Sequence, residues 1–129
     1  MKGSTPLGPL ELQIMDRLWD SDERLSVRQV LDLLPGRRRL AYTTVMTVLD
    51  RLHTKGLVSR SRAGRAYFYR SRVTRDAYVA KEVDQVLART TDRQAALLGF
   101  VRGVGEDDLV SLRTLIRDVE RERRHPRKG

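Results

Sequence analysis

The segment LAYTTVMTVLDRLHTKG, residues 40–56, constrains this chain more than any other. Five of the seven residues from Tyr42 to Val48 are β-branched, so local propensity favours a strand. Spacing says otherwise, because Val45, Val48, Leu49 and Leu52 fall at i, i+3, i+4 and i+7, the apolar stripe of a helix. Lys55 and Gly56 supply a basic last turn and a left-handed cap. A helix is therefore expected over residues 41–55, with Thr43, Thr44, Thr47, Arg51 and Thr54 on its opposite face and Asp50 beside them. An exposed helical threonine costs up to about 0.7 kcal/mol relative to alanine. Such residues are either merely tolerated or put to use, and short hydroxyls that reach phosphates and base edges, with methyls that touch thymine, favour use.

Two helices are expected before this one. Residues 9–20 carry Leu10, Leu12, Ile14, Met15, Leu18 and Trp19 at helical spacing, with Pro9 suited to the first turn and Glu11 near the positive end of the dipole. Ser26 and Gln29 have capping-box spacing ahead of Val27, Val30, Leu31 and Leu34, and Pro35 and Gly36 stop that second helix. After the third helix, residues 57–62 and 65–70 read as two strands around the turn Arg62, Ala63, Gly64, Arg65. Val58 and Phe68, with one of the tyrosines, are expected to seat this hairpin on the core. Arg24 and Leu25 suggest a short third strand.

Charge gives this layout a direction. The formal net charge is +9, and residues 37–72 alone sum to +9: Arg37, Arg38, Arg39, Arg51, Lys55, Arg60, Arg62, Arg65, Arg70 and Arg72 against the single acid Asp50. The flanking stretches nearly cancel. A basic hairpin tip repels itself unless it meets an anion, which favours a polyanion-binding surface over a solvated face. Helix, helix, helix and basic hairpin is the order of a winged helix-turn-helix, in which the third helix enters the major groove of double-stranded DNA. The expected contacts are Tyr42, Thr43, Thr44, Thr47, Arg51 and Lys55 on the helix and Arg60, Arg62 and Arg65 on the wing, residues 58–70.

Beyond Arg72 the pattern is helical. Thr74 suits the N-cap of a helix reaching towards Thr90, Asp92 opens a second helix, and Asp107 and Asp108 open a third. Three thin helices bury their apolar faces poorly alone, so a partner copy is expected to cover Leu98, Phe100, Val101, Leu109, Leu112, Leu115, Ile116 and Val119. The alternative is that they fold back on their own DNA-binding domain. The expected fold class is mostly α with a small β-hairpin. Its winged-helix domain spans residues 1–72, a helical dimerisation region 73–124 and a disordered basic tail 125–129.

Several function classes recede. The chain has no cysteine and two histidines, His53 and His125, which leaves no thiolate or imidazole cluster for a metal, and no cofactor is expected. No HExxH, GxSxG, phosphate-loop or dinucleotide motif occurs, so an enzyme is not expected. A winged-helix scaffold for proteins fits the charge poorly. The longest apolar run, from Ala95 to Val101, is too short to cross a bilayer and the first residues lack an apolar signal core, which points to the cytoplasm. The nearest rival is a repressor that holds a small molecule between its DNA-binding and dimer regions.

LGPLELQIMDRLWD, LSVRQVLDLL, AYTTVMTVLDRLHTKGLVSR and GRAYFYR together resemble the penicillinase-repressor family of bacterial winged-helix regulators known as BlaI/MecI. The resemblance implies a homodimeric repressor on a palindromic operator, with the third helix and the wing as its reading elements. It also implies release when a sensor-linked protease cuts the C-terminal region before a phenylalanine, for which Gly99 and Phe100 are the best match. Family members that are cut carry asparagine before that phenylalanine, so Phe100 reads first as an ordinary dimer-core aromatic and second as a processing site. Copper-responsive relatives carry C-terminal cysteines, which this chain lacks.

Overall fold

Helix periodicity prevails over β-propensity in the computed structural model, which describes residues 7–35 and 40–126. The order is α1 (Pro9–Trp19), β1 (Leu25–Ser26), α2 (Val27–Leu33), α3 (Tyr42–Thr54), β2 (Val58–Ala63), β3 (Ala66–Ser71), α4 (Arg75–Leu87), α5 (Arg93–Gly103) and α6 (Glu106–Arg124). The chain forms two compact units, one reaching Gln85 and the other starting at Val86.

Capping chemistry sets the helix ends. At α2 the Ser26 hydroxyl accepts from the Gln29 N–H at 3.1 Å, and the Gln29 side chain accepts from the Ser26 N–H at 2.8 Å, a reciprocal capping box. Gly56, at φ +81°, closes α3, with its N–H on the His53 carbonyl and the Leu57 N–H on the Leu52 carbonyl, both at 3.0 Å. This is a Schellman motif. Arg37, Arg38 and Arg39, together with Gly36, lie outside the described residues.

The core of the first unit is the stripe predicted for α3, namely Val45, Val48, Leu49 and Leu52, packed with Ile14, Met15 and Leu18 of α1 and Val27 and Val30 of α2. Leu25, Val58 and Tyr69 complete it from the sheet. That antiparallel sheet has the order β1, β3, β2, so the short third strand lies beside the wing's return strand. The result is a winged helix-turn-helix.

Two details of the hairpin differ from expectation. The strands run to Ala63 and from Ala66, which pair with each other, so the loop is Gly64 and Arg65 and the turn lies one residue later than the spacing suggests. Gly64 has φ +65°, and among the described residues no non-glycine has positive φ, which suits a two-residue turn with glycine first. Tyr69, not Phe68, seats the hairpin. Opposite Leu25 on one side and Arg60 on the other, Tyr69 alternates inward and is 1% exposed, while Phe68 takes the outer face beneath the Arg24 guanidinium at 4.6 Å.

α4 starts where Thr74 accepts from the Ala77 N–H at 3.0 Å and ends at Leu87, short of the Thr90 limit expected. In the second unit the Asp92 carboxylate caps α5 by accepting from the Ala95 N–H at 3.1 Å. α6 has Glu106, Asp107 and Asp108 in its first turn and Arg121, Arg123 and Arg124 in its last, each matched to the helix dipole. No residue of α5 or α6 is buried. Residues 127–129 of the basic tail lie outside the described residues.

Candidate nucleic-acid interface

With its apolar stripe turned inward, α3 leaves Tyr42, Thr43, Thr44, Met46, Thr47, Asp50, Arg51 and Thr54 exposed. The hydroxyls of Thr43, Thr44 and Thr47 have no hydrogen-bond partner among the described residues and, with Arg51, line an open groove against the first turn of α1. Thr54 differs, because its hydroxyl donates to the Asp50 carbonyl at 3.1 Å within the helix. The threonine face predicted from spacing is therefore three free hydroxyls and one satisfied one.

Lys55, expected on DNA, is held elsewhere. Its ammonium lies 3.0 and 3.2 Å from the two carboxylate oxygens of Glu11, one of which also accepts from the Gly8 N–H at 2.9 Å. Burial alone would push the Glu11 carboxyl up, but the Gly8 N–H and the Lys55 charge outweigh it and hold the carboxyl below its ordinary value. The pair fastens the start of α1 to the end of α3.

The wing arginines fall into two groups. Arg60 is locked: it donates to Asp50 at 2.8 Å and lies 4.6 Å from the centre of the Tyr67 ring, with Tyr69 directly across from it on the neighbouring strand. Burial pushes the Tyr69 hydroxyl's pKa up, partly offset by Arg60. The lone acid of the basic window is thus neutralised by the wing, and the wing is tied to α3. Arg62 is turned back on the Gly64 carbonyl at 3.1 Å and lies 5.5 Å from the centre of the same Tyr67 ring. Arg65, in the loop itself, is exposed with no partner among the described residues.

Three further side chains stand at this surface that spacing arguments did not single out. Met46 is 41% exposed, one turn after Tyr42 on α3. Arg28 of α2 lies 5.6 Å from the Tyr42 ring, and Arg24 donates to Ser61 of the wing at 2.7 Å. A helical wheel finds Met46, whereas Arg24 and Arg28 are brought in only by tertiary packing. Gly99 and Phe100 lie in the middle of α5. The apolar residues expected at a dimer interface are half or more exposed at Leu98, Phe100, Leu115 and Ile116, and partly exposed at Val101, Leu109, Leu112 and Val119. Among the described residues no helix is long and apolar enough to cross a membrane.

Comparison with known proteins agrees with this geometry. The family model described as penicillinase repressor matches residues 7–118. A transcriptional regulator BlaI from Mycobacterium tuberculosis, in strains CDC 1551 / Oshkosh and H37Rv alike, is 47% identical over 119 residues, covering 90% of this chain and 86% of the relative. The solution structure of the DNA binding domain of the repressor BlaI superposes with a TM-score of 0.50 at 24% identity, covering 58% of this chain and 90% of that one.

Proposed function

The chain belongs to the penicillinase repressor family, and from that membership we propose that it is a homodimeric repressor that reads a palindromic operator with α3 and braces the DNA backbone with its wing. The observation that carries this reading is the pairing of exposed hydroxyls on α3 with an exposed arginine at the wing tip, none of them with a partner among the described residues, inside the stretch that holds the whole net charge. Tyr42, Thr43, Thr44, Met46 and Thr47 reach base edges and thymine methyls, and Arg51 and Arg65 meet phosphates. Because Arg60 already neutralises Asp50, the recognition helix presents no bare carboxylate to the DNA. Lys55 acts from behind by holding α3 on α1.

Residues 1–72 form the reading head in this proposal, and residues 73–124 join two copies. The exposed apolar side chains of α5 and α6, Phe100 among them, meet their equivalents in the second copy, which gives the two-fold symmetry that a palindrome mirrors. Cutting between Gly99 and Phe100 would require α5 to open first, since that bond lies inside a helix. With DNA as its target, the protein works in the cytoplasm. Footprinting on genomic fragments that the purified protein retains tests this reading. Protection of a two-fold symmetric sequence is expected, and uniform coating of every fragment would overturn it.

A further inference from the structure

The junction between the wing and α4 is fastened to α1 by a cluster that DNA reading does not use. The Trp19 indole N–H donates to the Val73 carbonyl at 2.9 Å, tying the residue before the Thr74 cap to the back of α1. Arg75, the first residue of α4, lies 5.3 Å from the Trp19 ring and bonds Asp16 at 3.3 Å and Asp20 at 3.0 Å. One turn on, the Tyr78 ring packs on Trp19 at 5.6 Å between centroids, and its hydroxyl donates to Glu82 at 3.1 Å. A hydrogen bond, a cation over a ring and a ring pair thus converge on one side chain, the only tryptophan of the chain. Ser71 adds a short brace to the Val73 carbonyl.

The same helix carries a second, unpartnered face. Val79, Val83 and Val86 lie beside Tyr78 and Glu82 along the helix and form an apolar stripe at 47%, 50% and 54% exposure. α4 therefore holds the latch on one side and a candidate dimer seam beside it, with no break in the helix between Arg75 and Leu87.

We propose that Trp19, Arg75 and Tyr78 are positioning residues that set operator spacing: by fixing the first turns of α4 on α1, they fix the direction in which each reading head is carried and so the half-site separation the protein accepts. This rests on the dimeric reading above. One added base pair turns one half-site by about 34–36° relative to the other and moves it about 3.4 Å, and a stiff connection cannot absorb that without strain. A loosened one can.

The test uses the full chain and a palindromic duplex selected from a randomised pool by the wild-type protein, then lengthened or shortened by one and two base pairs between its half-sites. Wild type is expected to lose about tenfold or more in affinity per altered base pair, and Arg75→Ala and Trp19→Phe to lose less than about threefold. Trp19→Phe keeps a ring in the core while removing the N–H, so it carries the test if Arg75→Ala fails to fold. Affinity for a duplex holding one half-site is expected to stay within about twofold of wild type in both variants. Variants with spacing profiles as steep as wild type overturn the latch, as does a loss on the single half-site equal to the loss on the palindrome. A wild-type chain that sediments as a monomer instead overturns the dimeric reading beneath it.

Discussion

Glu11 shows how a single side chain links stability to the reading helix. Its carboxyl is held below the ordinary value of 4.5, so it stabilises the fold fully above that pH and the contribution is lost as pH falls through the lowered value. Glu11→Gln is expected to cost about 1–3 kcal/mol at neutral pH, because Lys55 is left half-buried without its partner. Denaturant unfolding from pH 7 to pH 3 should show a flatter acid limb in the variant; an unchanged limb would mean that the pair contributes nothing. On DNA the free and locked side chains should behave differently. Arg65→Ala is expected to weaken binding alike on all sequences and to reduce the salt slope by about one for each phosphate it no longer neutralises, whereas Thr47→Ala should alter discrimination between operator variants. Equal weakening by Thr47→Ala on specific and random duplexes would remove it from base reading. The threonine face was legible because apolar periodicity left it over. The role of Lys55 was not, since a basic residue in a last turn looks the same whether it awaits phosphate or a carboxylate 44 residues away.

At the scale of elements, turns and caps govern whether α3 and the wing are presented at all. Gly56 and Gly64 have φ +81° and +65°, in open space where an added Cβ meets nothing, so any penalty comes from backbone conformation alone. Gly56→Ala and Gly64→Ala are each expected to lower stability by about 1–2 kcal/mol, measurable by denaturant midpoint at constant m-value. Gly64→Ala should also weaken DNA binding, because the loop that aims Arg65 is the one under strain. Unaltered stability in both would mean that the loops relax elsewhere. Element identity followed from the sequence here through spacing, capping boxes and glycine placement. The hairpin's phase was harder: with Tyr67, Phe68 and Tyr69 in a row, which one faces inward depends on pairing with β1 and β2, and no local pattern decides it.

For the whole molecule, the concentration of charge and the exposure of apolar surface point to two different partners. Apolar positions buried within a chain and those buried between chains follow the same periodicity, so the sequence marked α4, α5 and α6 as helices and favoured a partner copy as their cover only because three thin helices bury their apolar faces poorly alone. If a second copy covers them, the thermal midpoint should rise with protein concentration, and Leu115→Asp or Ile116→Asp should abolish that rise. A midpoint independent of concentration would argue for a monomer. The placement of the charge, in contrast, was legible, because residues 37–72, which hold the entire excess of +9, include α3 and the wing. Lys55, Arg60, Arg62 and Arg70 prove to be braced against carboxylates, carbonyls or an aromatic ring, which leaves Arg65 on the wing loop without a partner among the described residues and Arg51 exposed on α3 with only the attraction of Glu11. DNA reading by this surface requires that it meet phosphates. Affinity of the wild-type protein for a selected duplex, measured between 50 and 200 mM salt, is predicted to fall about 10²-fold or more along a straight log–log line, since Arg51 and Arg65 of two reading heads neutralise about four phosphates, and a flat response would contradict it.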